Sequence, residues 1–238
     1  MATSGLRVAA EPVRAWYRAL RRLIFRSRRA WFIGRTKLAA RLIYAHVDMD
    51  IARDVILHRR VQVQIDAGTR NRLVIGARTV IRDDVLFFLR GGVIEVGSET
   101  EIRRYAMMNS SGTLSVGSSC LVSYGASIGC ADSVAIGDFS VLSEYSMMTD
   151  SSHARAGVDE KFLDAPVKSE PTSIGRSVWI GGHAIIAPGV HVGDCAFVGG
   201  GSVVTKDVPA WWLAVGVPAR PVRRLSQDEQ PSGEEGGL

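Results

Sequence analysis

Residues 146–157 read "SMMTDSSHARAG", and His153 within them is the side chain of this sequence best placed for chemistry. A histidine titrates near neutrality, so its ring can take a proton from one group and hand it to another. Taken alone it is better explained as a solvated loop histidine. His183 and His191 follow thirty and eight residues further on, inside regular stretches where a surface ladder explains both. Cys120, Cys130 and Cys195 are too widely and irregularly spaced for a disulfide framework or a CxxC metal site, and point to a reducing compartment. Cys130 reads as packing.

What gives His153 weight is the pattern it interrupts. From Ile174 onward, Ile180, Ile186, Val192, Val198 and Val204 follow at intervals of six without a slip, most with a glycine next and a small residue four places on. An aliphatic, a glycine that permits a turn and a small inward residue describe a short strand and a corner. Three such units, about eighteen residues, close one coil of a parallel β-helix whose coils bury their aliphatics only against each other. Upstream the beat is looser: Val116, Val122 and Ile128, then Ile136, Leu142 and Met148, with a step of eight across Cys130–Ser133, and earlier pairs at Ile75/Ile81 and Val96/Ile102. Six or seven coils are expected over residues 61–205. With 46% hydrophobic residues, 22% charged and 25 glycines, the composition is that of a turn-rich globular chain.

Over residues 134–225 the sequence resembles the left-handed β-helix, hexapeptide-repeat acyltransferases: the galactoside and maltose O-acetyltransferases and, more distantly, the xenobiotic acetyltransferases. The segment "SIGRSVWIGGHAIIAPGVHVGDCAFVGGGSVVTKDVPAWWLAVGVPARPVRRL" carries the resemblance; residues 61–115 match weakly and residues 1–60 not at all. The resemblance implies a left-handed helix, although crossovers between parallel strands are nearly always right-handed. It makes His153, seventeen residues after Ile136 and at the edge of a loop extruded over 154–173, the general base for direct transfer of an acetyl or other acyl group from acetyl-CoA to a hydroxyl of a sugar, polysaccharide or glycolipid. Backbone N–H groups at a glycine-rich corner would serve the oxyanion. It assigns coenzyme A to Gly182, Gly200, Thr205, Lys206, Arg220 and Arg223, no metal, and a homotrimer with the cleft between subunits. One departure stands out: the family's acceptor-side asparagine falls on Gly125, and Asn109 is out of register with it.

The remaining segments are a C-terminal cap over 206–225, a polar tail over 226–238 read as disordered, and a basic N-terminus. Residues 1–60 hold fourteen Lys and Arg against Glu11, Asp48, Asp50 and Asp54, a net of +10 in a chain of net +5. Val13, Trp16, Tyr17, Leu20, Leu23 and Ile24 share one face of an amphipathic helix and the arginines mostly the other, with Gly34 a stop signal. That helix can cap the open end of the β-helix or lie on an anionic bilayer. Nothing base-reading accompanies the cations, which argues against nucleic acid. No secretion signal or membrane span is evident, so the expected place is the cytoplasm or the inner face of its membrane. Two other classes use the same fold: a zinc hydratase of the γ-carbonic-anhydrase type, which the spacing of His153, His183 and His191 does not suit, and a non-catalytic scaffold.

Overall fold

The computed structural model describes residues 10–155, 157–159, 161 and 164–226, with side chains of the first helix described at Ile24 and from Ser27 onward. The apolar face from Val13 to Leu23 and the tail beyond Ser226 lie outside the described residues. A helix, α1 (Ala10–Leu42), is followed by short strands that stack into the three faces of a prism. Sheet A holds β1 (His46–Ile51), β4 (Arg70–Ile75), β7 (Val93–Val96), β10 (Thr113–Val116), β13 (Ser133–Ile136), β18 (Thr172–Ile174) and β21 (His191–Val192). Sheet B holds β2 (Ile56–Leu57), β5 (Val80–Ile81), β8 (Glu101–Ile102), β11 (Leu121–Val122), β14 (Val141–Leu142), β19 (Trp179–Ile180), β22 (Phe197–Val198), β24 (Trp212–Gly216) and β25 (Ala219–Arg224). Sheet C holds β3 (Gln62–Ile65), β6 (Leu86–Leu89), β9 (Met107–Ser110), β12 (Ser127–Cys130), β15 (Met147–Thr149), β20 (Ile185–Ile186) and β23 (Val203–Val204). This is a left-handed parallel β-helix of about seven turns. It begins at His46 rather than at residue 61, so the N-terminal helical segment ends earlier than the sequence pattern indicated.

Coil length varies along the stack. Gln62 faces Leu86, Leu86 faces Met107, Met107 faces Ser127 and Ile185 faces Val203, steps of 24, 21, 20 and 18. The eighteen-residue coil therefore holds only at the C-terminal end. The surplus residues upstream sit at the corner from sheet C to sheet A, as Arg90–Gly92, Ser111–Gly112 and Ala131–Asp132. The step of eight read across Cys130–Ser133 is one member of that column.

The other two corners turn through residues of positive φ. Arg78, Glu99, Ser119, Phe139, Ser177, Cys195 and Trp211 line the corner from A to B, and Asp84, Tyr105, Gly125, Tyr145, His183 and Gly201 the corner from B to C. A non-glycine residue pays roughly 1–2 kcal/mol for that conformation, offset by the coil-to-coil hydrogen bonds it permits, such as Tyr145 N–H to the Tyr124 carbonyl at 2.8 Å. The glycine after each aliphatic has a different task from the turn expected of it. A Cβ on Gly97, Gly137 or Gly181 would come within 2.5–2.6 Å of the next coil's backbone. These glycines allow coils to approach; the turn is made two residues later.

The interior is aliphatic, with Ile75, Ile94, Ile128, Leu142, Ile180 and Val198 at most 1% exposed. The open N-terminal end is closed by α1, which buries Phe32, Thr36 and Ala40 against the first coil and sends Arg29 Nη1 to the Ile51 carbonyl at 2.7 Å and Arg35 Nη2 to the Val61 carbonyl. Edge carbonyls that no further coil can pair are satisfied in this way. The helix runs through Gly34 to Leu42, and the chain leaves it through Tyr44 (φ 57°), after which the Ala45 N–H bonds back to the Ala40 carbonyl at 2.9 Å.

Candidate functional site

The excursion holding His153 leaves the prism at the same corner that is widened in the coils above. β15 passes into β16 (Ser151–His153), which pairs antiparallel with β17 (Val167–Ser169), so that His153 faces Val167 and Ser151 faces Ser169. The extruded 154–173 is thus partly a two-stranded ribbon, rejoining the helix at Thr172. Its base is clamped: Glu170 N–H donates to the Asp150 carbonyl at 2.7 Å, and Ala154 N–H to the Pro166 carbonyl at 2.8 Å.

Asp150, which the sequence reading passed over, is the anchor of this base. It is wholly buried, and its carboxylate accepts three backbone N–H bonds of 2.8 Å, from the surplus corner residues Ala131 and Asp132 of the coil above and from Ser133 at the start of β13. Its column position directly below a two-residue surplus was the available signal. His153 itself is exposed, with Nδ1 3.2 Å from the Ala165 carbonyl. A carbonyl only accepts, so Nδ1 carries the proton and the lone pair of the neutral ring is at Nε2.

The residues assigned to coenzyme A fall around the C-terminal half of sheet C. Gly182 and Gly200 are one coil apart on its B-side corner, below Glu144. A Cβ on Gly182 would lie 3.3 Å from the Glu144 carbonyl and one on Gly200 3.2 Å from the Gly182 carbonyl, with no side chain near either, leaving a strip of bare backbone two coils long. Above it the Ser123 hydroxyl donates to Glu144 Oε1 at 2.7 Å and, with backbone bonding, holds that carboxyl below its ordinary range. Thr205 and Lys206, both exposed, lie at the opposite edge of sheet C, on the corner from which the His153 ribbon springs two coils above. Arg220 and Arg223 are on β25, which turns back antiparallel along β24 and packs beside β23; Arg220 Nη1 donates to the Ala219 carbonyl at 2.8 Å. Bare backbone suits an extended amide-containing arm, and the exposed cations suit phosphates. The structure thus brings Thr205, Lys206 and His153 to one edge and sets the two glycines across the sheet from them.

Gly125 has φ +66°, and a Cβ there would lie 2.5 Å from the Tyr145 ring. Tyr145 occupies the space an asparagine side chain would need, and stacks on His183 with ring centroids 5.3 Å apart. His191 Nδ1 is instead 2.8 Å from the Ser173 hydroxyl on sheet A. The three histidines thus sit on different edges and faces, and among the described residues no group of three or more His, Cys, Asp and Glu could hold a metal ion. Also passed over were Trp179 and Phe197, stacked in parallel 5.7 Å apart on the outer face of sheet B. Eighteen residues separate them, one coil, which was a legible signal.

The chain folds as a left-handed β-helix, and a hexapeptide repeat is carried by its C-terminal coils. Residues 171–206 match the family model described as bacterial transferase hexapeptide (six repeats). The chain is 47% identical to the galactoside O-acetyltransferase of Escherichia coli (strain K12) over 62 residues, 26% of this chain and 30% of that protein. It is 43% identical to a chloramphenicol acetyltransferase of Morganella morganii over 70 residues, 29% of this chain and 33% of that one. The match therefore spans about a third of either relative. Among solved structures, the UDP-N-acetylglucosamine O-acyltransferase of Moraxella catarrhalis shares the fold at 21% identity and a TM-score of 0.51, covering 76% of this chain and 73% of that one. The N-acyltransferase AntD of Bacillus cereus, in complex with dTDP-4-amino-4,6-dideoxyglucose and coenzyme A, does so at 19% identity and a TM-score of 0.51, covering 75% and 83%.

Proposed function

We propose that the protein is an acyl-CoA-dependent O-acyltransferase that acts on a hydroxyl of a sugar, polysaccharide or glycolipid, with His153 as general base. The observation that carries this reading is His153 on a ribbon anchored by Asp150, with Nδ1 engaged, directly above the coils whose sequence matches the transferase hexapeptide model. In this reading Nε2 removes the acceptor hydroxyl's proton and later returns it to the leaving group, so no residue of the chain is acylated. The bound acyl-CoA supplies the activated carbonyl. Thr205 and Lys206, with Gly182 and Gly200 across sheet C, hold its arm, and Arg220 and Arg223 its phosphates. The absence of an asparagine at Gly125 gives an acceptor geometry different from that of the galactoside enzymes. The three free cysteines suit a reducing, cytoplasmic setting.

The working unit in this reading is a homotrimer. The outer face of sheet C presents Leu86, Phe88, Met107, Met147, Ile185 and Val203 with no charged side chain on its strands, and the buried Asn109 Oδ1 in its midst has no hydrogen-bond partner among the described residues. Such a face fits a subunit contact.

Calorimetry with acetyl-CoA on the wild type and on Lys206→Ala and Arg220→Ala tests the proposal. Binding weakened in both variants, followed by acetylation of a glycan acceptor that His153→Ala cannot perform, supports it. No binding of acetyl-CoA or of any longer acyl-CoA sinks it.

A further inference from the structure

The described part of α1 has two apolar faces, and only one is used by the fold. Phe32, Thr36 and Ala40 face the first coil and are buried. On the opposite side Ile24, Trp31, Leu38 and Leu42, spaced seven, seven and four apart, form a stripe that is 37%, 62%, 60% and 75% exposed. Tyr44, just past the helix end, is 92% exposed. Cations flank the stripe: Lys37 and Arg41 on one side, Arg28 and Arg35 on the other, with the Arg35 guanidinium 4.6 Å above the Trp31 ring. No helix among the described residues is long and apolar enough to cross a membrane.

We propose that this outward face of α1 is a docking surface for an anionic lipid bilayer, on which the helix lies flat while the β-helix stands up from it. Charge complementarity selects this occupant: residues 1–60 carry a net +10 while the rest of the chain carries −5. Trp and Tyr favour the headgroup layer, Leu the acyl boundary beneath it, and flanking Lys and Arg the anionic headgroups. A cyclic trimer would set all three caps at one end of the assembly, multiplying a weak single contact. The docking does not depend on acyl transfer, but it constrains an acceptor held in the same membrane. β15 lies four strand spacings of ~4.8 Å from β3, and α1 adds about 10 Å. The ribbon with His153 then stands roughly 30 Å above the bilayer, within reach of an extended glycan headgroup and out of reach of a hydroxyl at the lipid surface.

Co-sedimentation of the full chain with phosphatidylcholine vesicles, and with vesicles containing phosphatidylglycerol, reads lipid binding without reference to activity. The expected result is binding to the anionic vesicles only, weakened by raising salt from roughly 0.1 to 0.5 M. Leu38→Ser with Leu42→Ser, and separately Lys37→Glu with Arg41→Glu, should each lower the partition at least about tenfold. Both pairs are solvent-exposed, so unfolding midpoints should stay at the wild-type value. Equal binding to both vesicle types, or wild-type binding by both double variants, overturns the proposal. So does a larger assembly in light scattering that the leucine pair abolishes, because a second copy of the chain would then cover the face.

Discussion

The commitment of His153 Nδ1 to the Ala165 carbonyl leaves one basic atom, and that makes the role of the ring testable apart from binding. His153→Ala should lower turnover by about 10²–10⁴-fold while acetyl-CoA binding, read by calorimetry, is unchanged. Asp150 is a positioning residue. Its replacement by Ala removes the acceptor of three part-buried N–H groups, which water can reach only in part, so urea denaturation should show a loss of roughly 1–3 kcal/mol. The cysteines separate by burial. Burial, with the Asp150 charge, pushes the Cys130 thiol up to about 11, and burial also raises Cys120. At pH 8 iodoacetamide should therefore label the partly exposed Cys195 and spare Cys120 and Cys130 until denaturant is added, as peptide mass spectrometry would show.

At the scale of elements, glycines of one type do opposite things. Gly34 lies inside α1 with nothing within 4 Å of a built Cβ, so Gly34→Ala should raise stability by about 0.5–1 kcal/mol. Gly181 abuts the Gly200 backbone, where a Cβ would be 2.5 Å from N, and Gly181→Ala should cost about 2 kcal/mol or more; thermal unfolding of both variants decides. The hexads from Ile174 to Val204 were legible because each inward aliphatic recurs at the coil length. The earlier coils were legible only in part, because their surplus residues break the period at one corner without changing which side chains point inward. The start at His46 was missed for the same reason: the step from β1 to β4 is 24 residues, too long for a hexad count.

At the scale of the molecule, the proposed trimer contact through the outer face of sheet C predicts a mass near three times 25.7 kDa in light scattering. Ile185→Glu, which places a charge on that face, should shift the mass toward a single chain. A monomeric wild type would remove the subunit contact while leaving the fold untouched.

The sequence by itself determined the β-helix and its C-terminal register, because a coil that buries its aliphatics only on its neighbours must repeat them in one-dimensional order. Only the tertiary structure decided what the ends and corners do. α1 caps the first coil with one face and exposes another, Tyr145 fills the space beside Gly125, and Asp150 holds the corner above it. Each of these depends on which residues of different coils come to lie together, and variable coil lengths of 18 to 24 residues hide that from any fixed period.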